Sequence, residues 1–485
     1  MDLLSTKPGT KHKRIGVVGL LQSGKTVFLT SLIDHLQKHD PERFRLGEVK
    51  GGWSGSRKKK DHQRQMIKIV PLIRKNIASS TGWQPFEYER NRSKLAHHEW
   101  PTKTVIPQEY RGVFARSDWK WDKIDLSLLD IPGERLTDLL IANCKTFGEW
   151  SDIILNQLSI VPEFKKHASE YLQLVDTPPH DSSDWVEEEV LCTYRRALAR
   201  LAYNSIPFIS PSTFLIDEDG NYVPDEILGI EDPSKLEDEL VKRQFVGRDA
   251  RKQFSPLPAR FREKSPDISE KFAKNYDRYR REFVLHFAKA IKSCDEILFL
   301  VDIASILEGG VGYLNSQEAF CNQLWGYIDP GLSPVGRVGT FLSRVFTLGY
   351  APLRHVKRIA FIASKADRIH PEDYGNLEHL LRTLVRKHVD PFEIERRLEV
   401  SYHYCSAVHS TEPTGDNRCL KYRRYINGSE PDERRQNVSP LPEEWPDIFT
   451  GSDYHFPYPV PFFPKARLNP PKQFGLNDIA KIILS

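Results

Sequence analysis

A chain of 485 residues exceeds one compact domain of ordinary size and points to a core carrying large insertions. Seventy Lys and Arg against 66 Asp and Glu leave a formal charge of +4, with 28% charged and 39% hydrophobic residues, the balance of a soluble globular chain. So small an excess supplies no basic domain, and nucleic acid is not indicated as a partner.

The first residues, MDLLSTKPGTKHKR, carry charge but lead into a strand instead of a cleavable signal segment. Residues Arg14 to Gly19 form that apolar strand. A glycine-containing turn follows, then a helix in which Val27, Phe28, Leu29, Leu32, Ile33 and Leu36 recur at helical spacing. Residues 41–121 are mixed in texture and are expected to be a switch-like insertion, with a basic run at Arg57 to Lys60 and a helix from Gln63 to Ile77. A second strand over Asp125 to Leu129 ends at Asp130-Ile131-Pro132-Gly133. From 135 to 292 the period is near 3.6 over 135–160, 163–175, 184–204, 234–253 and 267–292, which predicts an all-α insertion domain.

Strand texture resumes over Glu296 to Asp302, Val356 to Ala363 and Val400 to Ala407. Strands alternating with helices argue an α/β fold with a mainly parallel sheet, its ligand lying at the carboxyl ends of the strands. The core is therefore expected in two parts, 1–134 and 293–485. Residues 411–475, rich in Pro, Asn and Tyr, are expected to run extended over the surface, and Leu476 to Leu484 to form a short helix. The longest apolar run, ILFLVDIASIL, is broken by Asp302, so no spanning helix is expected. Six cysteines (Cys144, Cys192, Cys294, Cys321, Cys405, Cys419) lack CxxC or Cys/His metal spacing, which suits reduced thiols in the cytoplasm. The histidines show no HxxxH or triad spacing, and the aromatics of 454–463 are expected to pack rather than stack on bases.

Chemistry concentrates in four short segments. Gly19-Leu20-Leu21-Gln22-Ser23-Gly24-Lys25-Thr26 matches GxxxxGK[ST] between a strand and a helix, the context this phosphate-binding loop requires. Glycines allow the tight turn, so that the amides of Gln22, Ser23, Gly24, Lys25, Thr26 and Val27 can point at phosphates beside the helix N-terminus. Lys25 is positioned to reach the β- and γ-phosphates and the Thr26 hydroxyl to ligate Mg2+. Asp130, at a strand end, suits a magnesium held through water, and the Gly133 amide suits the γ-phosphate.

Ser364-Lys365-Ala366-Asp367 resembles the [NT]KxD guanine-specificity motif of GTPases, with serine in first place. The Asp367 carboxylate can accept from the imino and amino hydrogens of guanine, a pair adenine lacks, while the Lys365 stem lies over the base. Cys405-Ser406-Ala407 corresponds to the short S-A pair whose backbone, at Ser406 and Ala407, reads the guanine carbonyl. Glu134 stands where many GTPases carry a water-positioning glutamine, and a carboxylate there predicts slow unaided hydrolysis.

The chain resembles the YcjX-like P-loop proteins of bacteria in VVGLLQSGKTVFLTSLIDHL, WPTKT at 100–104, ISPSTFLI at 209–216, LLDIPGERLTDLL at 128–140, FLVDIASILEGG at 299–310 and ASKADRIHPED at 363–373. The family form has threonine at Ser364 and tryptophan at Arg135. The resemblance implies a P-loop NTPase, GTPase-like core with a helical insertion, binding GTP or GDP with magnesium. It also implies a cytoplasmic, stress-related role beside a membrane-associated partner. Thr104, with Thr102 as the alternative, is by this resemblance the magnesium-sensing switch threonine. An ATP-dependent P-loop ATPase and a non-hydrolysing, nucleotide-stabilised scaffold are the competing readings.

Overall fold

The structure is a computed structural model and describes residues 10–19, 23–50, 64–73, 83–101, 107–118, 123–131, 138–177, 184–203, 232, 235, 253–328, 356–386, 398–415, 418–425, 431–465 and 470–485. Its centre is an eight-stranded sheet built from β1 (Thr10–Gly19), β4 (Ile69–Ile73), β5 (Gln84–Pro85), β6 (Gln108–Arg116), β7 (Lys123–Asp130), β8 (Glu296–Val301), β9 (Arg358–Ala363) and β10 (Glu399–Tyr404). The strand order is β10-β9-β8-β1-β7-β6-β4, with β5 on β6. The five strands from β10 to β7 run parallel, whereas β6 is antiparallel to β7 and β4 antiparallel to β6. A short hairpin of β2 (Glu48–Lys50) and β3 (Arg64–Met66) stands apart from this sheet.

At the centre of the sheet β8 and β9 are buried on both faces, which is why they read as nearly unbroken apolar runs. Successive residues alternate between the faces. Ile297, Phe299 and Val301 join Ile359 and Phe361 on one side, where they meet helices α9 (Leu285–Lys292), α10 (Ile303–Ile328) and α11 (Tyr374–Arg386). Ile15, Val17, Leu298 and Leu300 face the other side and pack on α1 (Lys25–Gln37) and α12 (Leu476–Ile483). The carbonyls at the end of α12 are met, besides their own cap, by cations from three strands. Lys13 Nζ donates to Ile482 O at 3.0 Å, Arg358 Nη1 to the same oxygen at 3.2 Å and Arg116 Nη1 to Leu484 O at 2.9 Å.

Two expectations are corrected here. The segment from Gln63 to Ile77 holds β3 and β4 instead of a helix. Pro71 would remove a hydrogen bond and clash inside a helix, but a terminal strand tolerates it, and the β4–β6 ladder shifts register between Pro71 and Ile73. Residues 41–121 are accordingly no mere insertion, because β4, β5 and β6 come from them. Residues 411–475 do more than run over the surface. They form the antiparallel sheet β11 (Thr411–Pro413), β12 (Cys419–Arg424) and β13 (Asp432–Asn437), and they bury Phe456 and Phe463. Residues 454–464 carry no helix or strand, and their aromatic rings Phe456 and Phe463 supply apolar contact.

Every described element between Asp138 and Lys292 is helical: α3 (Leu139–Asn143), α4 (Phe147–Ile160), α5 (Pro162–Asp176), α6 (Asp184–Tyr203), α7 (Ala259–Lys264), α8 (Pro266–Tyr279), a π-turn over Arg280–Val284, and α9. The basic run at 57–60 and nearly all of 234–253 lie outside the described residues. These helices share a core of their own, centred on Trp150, which lies 5.2 Å from Phe254, 5.7 Å from Tyr276 and 5.9 Å from Phe147 between ring centroids. Replacing so buried an aromatic leaves a cavity, so Trp150→Ala is expected to lose about 3–5 kcal/mol in chemical denaturation, and a loss below about 1 kcal/mol would contradict this packing.

Candidate functional site

Because β1, β7, β8, β9 and β10 run parallel, Gly19, Asp130, Asp302, Ser364 and Cys405 all emerge at one edge of the sheet. The order departs from β1 in both directions, and in open α/β sheets ligands bind at the carboxyl ends beside such a switch point. Gly19 has to be glycine, since a Cβ there would lie 2.6 Å from Leu300 O and 2.5 Å from Ser23 Oγ. Gly24 takes a left-handed φ of 83° and starts α1.

The first turn of α1 then projects its polar groups toward this edge. Lys25 is buried and its Nζ donates to Gly19 O at 2.8 Å, which folds the ammonium inside the turn. The Thr26 hydroxyl stands 3.4 Å from Asp130 Oδ2, and Asp130 is fully buried at the end of β7. Val27 uses its side chain for packing, against Leu95, Val408 and Phe463.

The loop after β9 closes on the same place. The Ser364 hydroxyl donates to Ser23 O at 2.8 Å, so serine in the first motif position joins the two loops directly. Lys365 takes a left-handed φ of 53°, and its alkyl carbons would be 3.6 and 3.9 Å from a Cβ on Gly24. Ala366 N donates to Cys405 O at 3.1 Å, and the Ser31 hydroxyl of α1 to Ala407 O at 2.6 Å, so the segment holding Ser406 and Ala407 is tied to the 364–367 loop and to α1. Asp367 is buried, and Ser410 N donates to its Oδ2 at 3.0 Å. Burial pushes this carboxyl above the usual range, and the Ser410 amide pulls it back.

Ser23, Gly24, Lys25, Thr26, Val27, Asp130, Lys365, Asp367, Ser406 and Ala407 are thus gathered at one edge. Gln22, Thr102, Thr104, Gly133 and Glu134 lie outside the described residues. The sequence matches the family described as YcjX-like family, DUF463, over residues 13–239 and 246–482. The chain belongs to the YcjX-like family.

In this family member the motif readings passed over Asp302, although an acid ending an apolar run is itself a signal, because a buried carboxylate requires partners. Its Oδ2 lies 2.8 Å from Lys365 Nζ and 3.6 Å from Arg368, and Ser305 N donates to its Oδ1 at 3.0 Å. Arg368, also buried, pairs with Glu308 at 2.6 Å and donates to Pro457 O at 2.9 Å. Burial by itself would raise the Asp302 carboxyl, but Lys365 and Arg368 outweigh it and hold the group at about 2. Among the described residues no group of three or more His, Cys, Asp or Glu could hold a metal, and no helix is long and apolar enough to cross a membrane.

A carboxyl with a depressed folded-state value stabilises the fold above its unfolded value, near 4, and that contribution disappears as pH falls toward 2. Wild-type protein is therefore expected to lose about 2 kcal/mol more than Asp302→Asn between roughly pH 5 and pH 2, read by urea denaturation across that range; parallel profiles would contradict it.

Proposed function

We propose that this protein binds guanine nucleotide with magnesium and hydrolyses GTP slowly to GDP and phosphate, as a molecular switch. The observation that carries the reading is the mutual contact of the segments at 19–26, 130, 364–367 and 405–407, gathered at one sheet edge although they span nearly 390 residues. An ordinary glycine turn or a solvated loop has no reason to be hydrogen-bonded to the other motif loops.

In this reading the amides at the start of α1 cradle the phosphates, and the Lys25 ammonium neutralises charge on the β- and γ-phosphate oxygens. The Thr26 hydroxyl and the Asp130 carboxylate, 3.4 Å apart, are hard oxygen donors of the kind magnesium takes beside phosphate oxygens and water. Magnesium, when bound, would supply charge neutralisation at the phosphates. Asp367 accepts from the guanine edge, and the backbone of Ser406 and Ala407 faces its carbonyl. Burial favours this discrimination, since a base without the matching donors leaves a desolvated carboxylate unpaired. Glu134 beside the attacking water rests on its place after Gly133, while Thr104 as switch threonine, the stress-related role and a membrane-associated partner rest on the family resemblance.

The position of α3 supports a switch. Leu139 packs into the sheet core while Leu140 and Ile141 pack into the helical core, directly after the 130–133 segment. Tyr279 donates to Asp138 Oδ2 at 2.8 Å, and Arg280 Nε to Ile141 O at 3.2 Å. In this reading α3, anchored in both cores, is the element that would couple the nucleotide edge to the helical block.

Isothermal titration should show Mg·GDP binding at least about 100-fold tighter than Mg·ADP, with Asp367→Asn abolishing the preference. Tighter ADP binding would overturn the guanine assignment. Lys25→Ala should reduce phosphate release from GTP to background, and turnover that survives it would place catalysis outside this loop. Tight nucleotide binding by wild-type protein without any turnover would favour the scaffold reading.

A further inference from the structure

Asp302 leaves β8 between the two loops that the proposed function assigns to phosphate and base. β8 pairs with β1 on one side, Leu300 opposite Gly19, and with β9 on the other, Val301 opposite Ala363. Its carboxylate has two separate employments. Oδ1 accepts from Ser305 N at 3.0 Å and caps the first turn of α10, while Oδ2 meets Lys365 Nζ at 2.8 Å and the Ser305 hydroxyl at 2.6 Å.

Capping does not call for a charge, because serine or asparagine caps a helix as well as aspartate. Two cations face the charge: Arg368, at 3.6 Å, is shared with Glu308 at 2.6 Å, whereas Lys365 is the nearer, at 2.8 Å, and pairs with Asp302 through its ammonium. The Lys365 side chain is about one third exposed, its backbone is left-handed at φ 53°, and its stem lies over Gly24.

We infer that Asp302 is a positioning residue which holds the Lys365 side chain across the phosphate loop and so fixes the wall against which the nucleobase lies. The inference rests on the guanine-nucleotide reading above and adds a specificity-determining residue to it. A lysine loses considerable rotamer freedom when it is immobilised. An anchor at the ammonium, together with the fixed backbone, removes that freedom before the base arrives, and the phosphates gain nothing from it. Loss of the anchor should therefore weaken ligands that carry a base and leave base-free polyphosphate untouched.

The test compares Mg·GDP with Mg·tripolyphosphate by isothermal titration on the full chain. Asp302→Asn keeps the cap and the shape but removes the charge, and is expected to weaken GDP about tenfold with tripolyphosphate unchanged. Lys365→Met, at a partly exposed position, keeps the stem and loses the ammonium. It should give the same selective loss, and the double variant should lose no more than either single one. Equal weakening of both ligands, or fully additive losses, would overturn the inference by making Asp302 a general structural residue. GDP affinity unchanged in Asp302→Asn and Lys365→Met, with wild type preferring GDP over ADP, would overturn the inference alone. If wild-type protein binds tripolyphosphate but GDP no better than ADP, the guanine reading fails and this inference falls with it. Should Asp302→Asn fail to fold, Lys365→Met decides by the same two titrations.

Discussion

The parallel pairing of β1 on both of its edges is the constraint from which the rest of the molecule follows. β1 pairs over Thr10 to Val17 with β7 and over Ile15 to Gly19 with β8. β1 is polar over Thr10 to Arg14 and apolar and buried over Ile15 to Gly19, and its direction dictates where its neighbours end. Buried charges are paired at its amino end. Lys13 and Glu296 lie 2.6 Å apart there, with Arg358 at 3.1 Å from the same carboxylate. Burial pushes Lys13 down and Glu296 up, so each makes the other tolerable in the interior. The carboxyl end is left to the loops.

Those loops also hold one another. Ser364 bonds the phosphate loop, Ala366 bonds Cys405, and Ser31 of α1 bonds Ala407, each contact satisfying a polar group in the interior. Further out, the 456–464 segment bonds the same assembly from outside. Phe456 N donates to Glu308, Pro457 O accepts from Arg368, and Phe462 N donates at 3.1 Å to the hydroxyl of Ser410, whose own amide bonds Asp367. At its far end Pro461 O lies 2.9 Å from the His98 ring, and Arg92, paired with Asp34 of α1 at 2.8 Å, lies over the Phe463 ring. Residues from both parts of the split core therefore meet at one edge.

The parts legible in the sequence were those with a strong local signature. β8 and β9 are apolar beyond their first residues, β1 and β7 carry apolar stretches in their second halves, and Lys25 to Gln37 carries a helical period; all are visible in windows no longer than the elements themselves. The helix over Gln63 to Ile77 failed because short apolar stretches such as Ile69 to Ile73 are ambiguous in period, and Pro71 was the deciding signal. The region 411–475 failed differently. Proline and asparagine content describes backbone habit and says nothing about which aromatic rings find the core.

By itself, then, the sequence determined the identity and order of the motif segments, because a glycine turn, an amphipathic helix or an apolar strand is specified by neighbours within a few residues. Only the tertiary structure decided that β6 lies beside β7, that α3 belongs to two cores, that serine at 364 is a link between loops 341 residues apart, and that Asp302 faces Lys365. Those pairings depend on which apolar faces can be buried together and on which charges must then be neutralised at the same place. No local pattern carries that information.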